Sequence, residues 1–449
     1  MKLTFHGGAQ VVTGACYLLE TKEAKILVEC GLFQGRREWQ ELNYEDFPFN
    51  PAEIDFVLIT HSHMDHIGRL PKLVKDGFKG KIITTNPSRD FSHLFLLDSA
   101  HLQIEEAREI GQDPLYSEID VETSMKLFAG VDYGGKIDLA GDVKCRFTDA
   151  GHILGSAIIE IWADGKKIVF TGDLGNPPVP ILKPTELVDK ADYVVIESAY
   201  GDRSHETAEK RQNLLEDAIE DVVAKKGVLM IPAFAMERTQ EVLYEMNELV
   251  EQSHVPAVPI FVDSPLAIKA TGVYRRYEEY FNQEAIRRIN SGDDIFKFPG
   301  LTMTASSQES RQINDIPNPK VIIAGSGMST GGRILFHEKL YLSDPNSMLL
   351  IVGYQVEGTL GRKILEGAKE VMIKNEKVPV KARILAVGGY SAHADQPRLM
   401  SWLDHIKRPV QNVFVVQGEE GPASVLAQKV SDELGIMATV PKLGEEVEL

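Results

Sequence analysis

Within ITHSHMDHIGRLP, Ile59 to Pro71, three histidines and an aspartate fall in six positions. Imidazole and carboxylate are the side chains that zinc takes at catalytic sites, where water keeps one position. His61 and His63 stand two apart, so a helix would splay them, whereas a loop at a strand end lets them converge on one point. Asp65 and His66 follow where a helix begins and can swing toward a second point nearby. A two-metal hydrolytic centre needs more ligands than these four. His152 in DAGHILGSA and Asp173 in VFTGDLG offer them, each at a strand end beside glycine, where backbone can come close to a metal. A carboxylate bridges two metals more readily than an imidazole, so Asp173 is the expected bridge. By contrast His6, His101 and His254 stand alone and read as ordinary polar residues.

These loops need strands to carry them. KLTFHGG, ACYLLET and AKILVECG read as short strands punctuated by glycine, and EIDFVLIT runs directly into the histidine cluster. IGRLPKLVKDG reads as a helix in which Pro71 is tolerable only near the start. A buried strand, KIITT, and a helix from about Arg89 to Ile110 follow. The stretch from Val143 to Gly175 returns to strands, with ADGKK as a hairpin turn, and ADYVVIESAYG adds a strand ending in an acid. From Thr207 the texture changes to helices alternating with β-branched runs, such as RQNLLEDAIEDVVAKK, GVLMIPAFA and VPIFVDSPLA. That alternation predicts βαβ units and a mostly parallel sheet. The expected organisation is an interleaved one, with residues 1–206 and 382–449 forming one domain around an insertion at 207–381.

At 449 residues, 43% hydrophobic and 25% charged, the chain has room for two cores and the composition of a soluble globular protein. No apolar run approaches the roughly 18–20 residues of a membrane span, so no membrane is expected as a partner. The N-terminal stretch MKLTFHGGAQVVTG has no signal-peptide pattern, and cytoplasm is the expected location. Cys16, Cys30 and Cys145 are too widely spaced for a thiolate cluster and are expected as buried thiols. A net charge of −18 argues against a surface that coats nucleic acid, and leaves local sites or metal ions to supply positive charge.

THSHMDHIG, with GHILGSA and FTGDLG downstream, resembles the metallo-β-lactamase superfamily. VIESAYGDR, PAFAMERTQE, SPLA, GSGMSTGGR and GGYSAHADQ extend the resemblance to its β-CASP branch of RNA-processing nucleases, relatives of ribonuclease J and of the cleavage and polyadenylation endonuclease. The resemblance spans essentially the whole chain. It implies an αββα sandwich with an inserted α/β parallel-sheet domain, and two zinc ions. His61, His63 and His152 would hold one zinc, Asp65 and His66 the other, with Asp173 between them. It further implies that Glu197 is the acid, and His393 the histidine, of two branch motifs. In two places the sequence departs from the family. Glu29 stands where an aspartate is usual, and Gln417 where a histidine usually completes the second zinc. An amide oxygen is a weaker zinc ligand than imidazole, so the second zinc site is expected to be the weaker.

The chemistry expected from this set is zinc-dependent hydrolysis of phosphodiester bonds in single-stranded RNA, endonucleolytic or also 5′-to-3′ exonucleolytic. Asp65 would orient the nucleophile, while Glu197 and His393 would bind the phosphate or protonate the leaving oxygen. Ser264, together with Ser326, Gly327 and Arg333 of the glycine-rich GSGMSTGGR loop, is expected to hold a flanking phosphate. Two other readings stand beside it: a metallo-hydrolase of small thioesters or lactams, and an RNA-binding pseudo-enzyme with a weakened second site. A homodimer is compatible with the sequence.

Overall fold

Segments such as KILV, KIITT and NVFVV carry apolar side chains on both faces, and a strand of that kind must be covered on both sides. In the computed structural model, which describes residues 1–449 apart from Gln112, Glu206, Thr207, Tyr354, Gly388–Tyr390 and Arg408, they lie inside layered sheets. The chain forms two compact units. One comprises Met1–Pro177, Pro184–Ser204 and His393–Leu449, and the other Pro178–Lys183 and His205–Ala392. The expected boundary residue Thr207 lies outside the described residues, as does the Gly388–Tyr390 part of GGYSAHADQ. The strand Arg383–Ala386 pairs in parallel with Met348–Ile351, so this part of the chain runs with the second unit.

The first unit holds two seven-stranded sheets. One runs in the order Glu446–Glu448, Lys2–Gly7, Cys16–Glu20, Lys25–Val28, Phe56–Leu58, Lys81–Thr85, Phe128–Val131. The other runs Ala438–Thr439, Asn412–Val416, Tyr193–Glu197, Lys166–Phe170, Ala157–Ala163, Val143–Asp149, Lys136–Ala140. Leu3, Tyr17 and Val28 of the first pack with Phe147, Ile159 and Phe414 of the second, so the sheets lie face to face. Helices cover the outer faces. Leu70, Leu73 and Leu96 pack on Leu27, Val57 and Ile82, while Leu399, Leu403 and Leu426 pack on Val169, Val194 and Val413. The result is the αββα sandwich.

The second unit has a six-stranded parallel sheet in the order Leu301–Met303, Ile260–Val262, Lys320–Ala324, Val228–Pro232, Met348–Ile351, Arg383–Ala386. Its helices include Ala208–Lys225, Arg238–Glu251, Pro265–Tyr274 and Ile334–Tyr341. An antiparallel hairpin, Glu370–Ile373 with Glu376–Pro379, accompanies it. Among the described residues no helix is long and apolar enough to cross a membrane.

Candidate metal centre

The strand Phe56–Leu58 delivers Ile59–His63 as an irregular loop, and a single helical turn, Met64–Ile67, follows. Thr60 anchors that loop. Its N–H donates to Glu29 Oε1 at 2.9 Å, its carbonyl accepts from Ala157 N at 2.8 Å, and its hydroxyl lies 2.9 Å from His61 Nδ1. With Nδ1 so engaged, His61 turns Nε2 inward. His63 Nδ1 faces His61 Nε2 at 3.0 Å and His152 Nε2 at 3.2 Å. Asp173 Oδ2 completes the set, 3.4 Å from His61 Nε2 and 3.5 Å from His152 Nε2.

His152 and Asp173 reach this point from the second sheet. After Val143–Asp149 the chain turns through Gly151, at φ +65°, and Ser156 Oγ accepts from His152 N at 3.1 Å. After Lys166–Phe170 it turns through Gly172, at φ +53°, to Asp173. Gly175 donates its N–H to Ala150 O at 2.9 Å, and a Cβ there would stand 1.9 Å from Gly151 O, so only glycine lets these two loops lie together.

Burial brings His61 down to about 4 and holds His63 and His152 well below the usual histidine range. The three imidazoles are therefore neutral, each with one lone-pair nitrogen. His63 Nδ1 can share a proton with only one of the two nitrogens it faces, so the set has lone pairs to spare. Neutral imidazoles converging on a carboxylate fit a divalent metal ion, which takes the lone pairs that no proton can satisfy. Donor separations near the roughly 3.3 Å edge of a tetrahedron of zinc–nitrogen bonds agree with that.

On the other side of Asp173, Oδ1 lies 3.5 Å from His66 Nε2, and Asp65 Oδ2 lies 3.9 Å from the same nitrogen. His66 Nδ1 faces Glu29 Oε2 at 3.6 Å, and neither atom has a hydrogen-bond partner among the described residues. Burial opposes charge on His66, but Asp173, Asp65 and Glu29 together raise it well above the usual range. Gln417, at the end of Asn412–Val416, donates from Nε2 to Asp173 Oδ1 at 2.8 Å and lies 3.0 Å from His66 Nε2.

Glu197 and His393 stand beside this group. Leu174 N donates to Glu197 Oε1 at 2.6 Å, and His393 Nδ1 lies 3.1 Å from Glu197 Oε2 and 3.7 Å from Asp173 Oδ2. His393 is held there by pairing with Gly175 and by Ala394 N donating to Leu174 O at 2.7 Å. Burial raises the Glu197 carboxyl. Burial would lower His393, yet Glu197 and Asp173 carry it up to about 9.

Ser264, Ser326, Gly327 and Arg333 lie in the second unit. Ser264 caps the helix Pro265–Tyr274, accepting from Ala267 N at 3.2 Å, and Ser326 Oγ accepts from Thr330 N at 2.9 Å and Gly331 N at 3.1 Å. The Phe234 ring lies where a side chain at Gly327 would have to go. Arg333 donates to Asp263 Oδ1 at 2.7 Å and to the carbonyls of Thr304 and Ala305 at 3.0 Å each. Ser264 and Ser326 are thus engaged within their own loops, and Arg333 by loops 28 to 70 residues earlier in the same unit. Thr60, Gly175 and Asp263 were missed in the sequence. For Thr60 the only available signal is its place next to His61, and for Gly175 its place two residues after Asp173.

Three family models match the chain: the metallo-beta-lactamase superfamily over residues 9–223, the Beta-Casp domain over 239–364, and the Zn-dependent metallo-hydrolase RNA specificity domain over 377–441. Ribonuclease TTHA0252 of Thermus thermophilus is 36% identical over 420 residues, 94% of either chain. An RNase J-like protein of Methanocaldococcus jannaschii is 32% identical over 98% of both chains. Transcription termination factor FttA of Methanosarcina mazei is 32% identical over 97% of this chain and 70% of its own. A crystal structure of a protein of unknown function from Enterococcus faecalis V583 shares the fold, with a TM-score of 0.55 at 12% identity, covering 100% of this chain and 99% of that one. Sandwich, donor cluster and full-length relatives agree that the chain belongs to the metallo-beta-lactamase superfamily, in its Beta-Casp branch, and is a metal-dependent hydrolase.

Proposed function

We infer that the chain is a zinc-dependent ribonuclease that hydrolyses phosphodiester bonds of single-stranded RNA. The observation that carries this reading is Asp173, which turns Oδ2 toward His61 and His152 and Oδ1 toward His66, with the Glu197–His393 pair alongside. Ribonuclease and RNase J-like relatives aligned over nearly their whole length support RNA as the substrate.

His61, His63, His152 and Asp173 would hold one metal ion, and Asp65, His66 and Asp173 a second. When bound, the metal supplies Lewis acidity toward a phosphoryl oxygen and makes water nucleophilic at neutral pH. Asp65, with a side chain 20% exposed beside a mostly buried set, would accept a proton from the attacking water and orient it. His393 is protonated at neutral pH, holds Nδ1–H on Glu197, and has a second N–H on Nε2 with which to protonate the leaving oxygen. Glu197 keeps the ring oriented and the imidazolium charged until the proton leaves.

A scissile phosphate must reach donors that are almost fully buried. His61, His66, His152 and Glu197 are 0% exposed and Asp173 2%. An A-form duplex is too wide and stiff to lower one phosphate into such a set, whereas a single strand can. Internal cleavage is the proposed mode, with 5′-to-3′ trimming as a second. The test is cleavage of RNA oligonucleotides labelled at either end, single-stranded and blunt-duplex, with zinc supplied. Faster cleavage of the duplex, or cleavage that persists in a chelated enzyme, overturns the reading.

A further inference from the structure

The two sides of Asp173 differ in donor chemistry. The first side gathers three imidazole nitrogens and one carboxylate oxygen. The second has a single imidazole, that of His66. Its remaining neighbours are the carboxylates of Asp65 and Asp173 and the terminal amide of Gln417.

That amide holds a ligand's place. Its end is 2.8 Å from Asp173 Oδ1 and 3.0 Å from His66 Nε2, separations like those among the donors of the first set. The backbone fixes it there. Gln417 sits at φ +49°, a left-handed conformation that costs a non-glycine residue free energy, and its N–H donates to Gly8 O at 2.6 Å. A half-turn of the terminal amide exchanges nitrogen for oxygen at the same position. The displaced nitrogen then needs an acceptor. A Cβ at Gly8 would lie 2.5 Å from the Tyr17 hydroxyl and 3.3 Å from Gln417 Cγ, and that hydroxyl is buried with no partner among the described residues.

We propose that Gln417 makes the second position an oxygen-rich site with a much weakened preference for Zn2+ and open to Mn2+, beside a nitrogen-rich position that takes Zn2+. This rests on the metal-centre reading above. Imidazole suits zinc, whereas carboxylate and amide oxygens suit the harder manganese ion. One imidazole with three oxygens therefore gives up much of the preference for zinc that the three-histidine side retains. A histidine in place of Gln417 would restore it.

The experiment uses the full chain, stripped of metal by chelation, loaded with one equivalent of Zn2+ and titrated with Mn2+. Bound and free Mn2+ are read by electron paramagnetic resonance, and total metal by elemental analysis. The natural protein should bind one Mn2+ after the first Zn2+, and should discriminate against Mn2+ at that position far less than at the first. Gln417→His should shift the competition toward Zn2+ by about 10–100-fold, the range over which partners of a metal site tune affinity. A second position that discriminates against Mn2+ as strongly as the first overturns the proposal, as does a Zn2+/Mn2+ ratio unchanged by the substitution. Failure to hold even the first Zn2+ equivalent would instead overturn the reading of the centre itself.

Discussion

His393 Nδ1 meets Glu197 Oε2 across 3.1 Å although 196 residues separate them in the chain. The carboxylate is fully buried and the imidazole partly so; Glu197 raises the imidazole's affinity for a proton, while burial raises the Glu197 carboxyl against the opposing pull of His393. Glu197→Gln keeps the shape but removes the charge that sustains the imidazolium. kcat should fall about 10²–10⁴-fold with KM little changed, because the lost interaction belongs to proton transfer. Steady-state kinetics on a single-stranded RNA checks this, and an equal effect on KM alone would assign the pair to binding.

His63 stands between His61 and His152. His63→Ala should remove metal and activity together, with affinity falling by more than the roughly 10–100-fold typical of partners that only touch a ligand. Elemental analysis beside an activity assay decides. Full metal content with normal turnover would contradict the assignment.

Gly175→Ala would press a methyl against Gly151 O, and the obstacle is backbone that cannot rotate away. Overpacking of this kind costs about 1–3 kcal/mol. Because Gly175 also pairs with His393, thermal unfolding should come earlier and metal affinity should drop. An unchanged melting temperature would mean the loops part at no cost.

Asp263 in the second unit accepts from His337 at 2.7 Å, Arg333 at 2.7 Å, Ser310 at 2.7 Å and Thr304 at 2.8 Å. Burial would raise its carboxyl, but these four hydrogen bonds bring it down to about 2. The stabilisation is present above the ordinary 3.8 and lost as pH falls toward 2. Asp263→Asn leaves Arg333 and His337 without their anion and should cost about 3–5 kcal/mol, read by denaturant unfolding at neutral pH.

Burial raises the Glu338 carboxyl to about 7 from the usual 4.5, even though the Ser329 hydroxyl donates to it. The folded chain therefore holds this proton more tightly than the unfolded one. The contribution to stability is full below 4.5 and is lost as pH rises through 7. Glu338→Gln removes that titration. Its unfolding free energy should exceed that of the natural protein at pH 8, by on the order of 1–3 kcal/mol, and the two should converge toward pH 5. Parallel pH profiles for both proteins would show that Glu338 does not titrate in this window.

The loop from His61 to His66 was legible because ligand types at a strand end leave a local signature, and the parallel sheet of the second unit because helices and β-branched runs alternate. What could not be read is what depends on distant contacts. Thr60 gives no sign of reaching Glu29, Ala157 and His61 at once. Arg333 reads as a phosphate ligand, and nothing near it in the sequence shows that Asp263, 70 residues earlier, accepts from its guanidinium. Ser264 carries a capping pattern as plain as any binding pattern, and the structure places it at the cap.

The strand Tyr193–Glu197 pairs along its length with Asn412–Val416, and Ser198 Oγ donates to Val416 O, 218 residues on. His393 and Gln417 also come from the last segment of the first unit. During synthesis the ribosome therefore emits His61, His63, His152 and Asp173 long before His393 and Gln417. The half-made protein has an open sheet edge and leaves Glu197 without the His393 imidazole. On the proposed function, translation must pass both His393 and Gln417 before the product can cut RNA, including the message that encodes it.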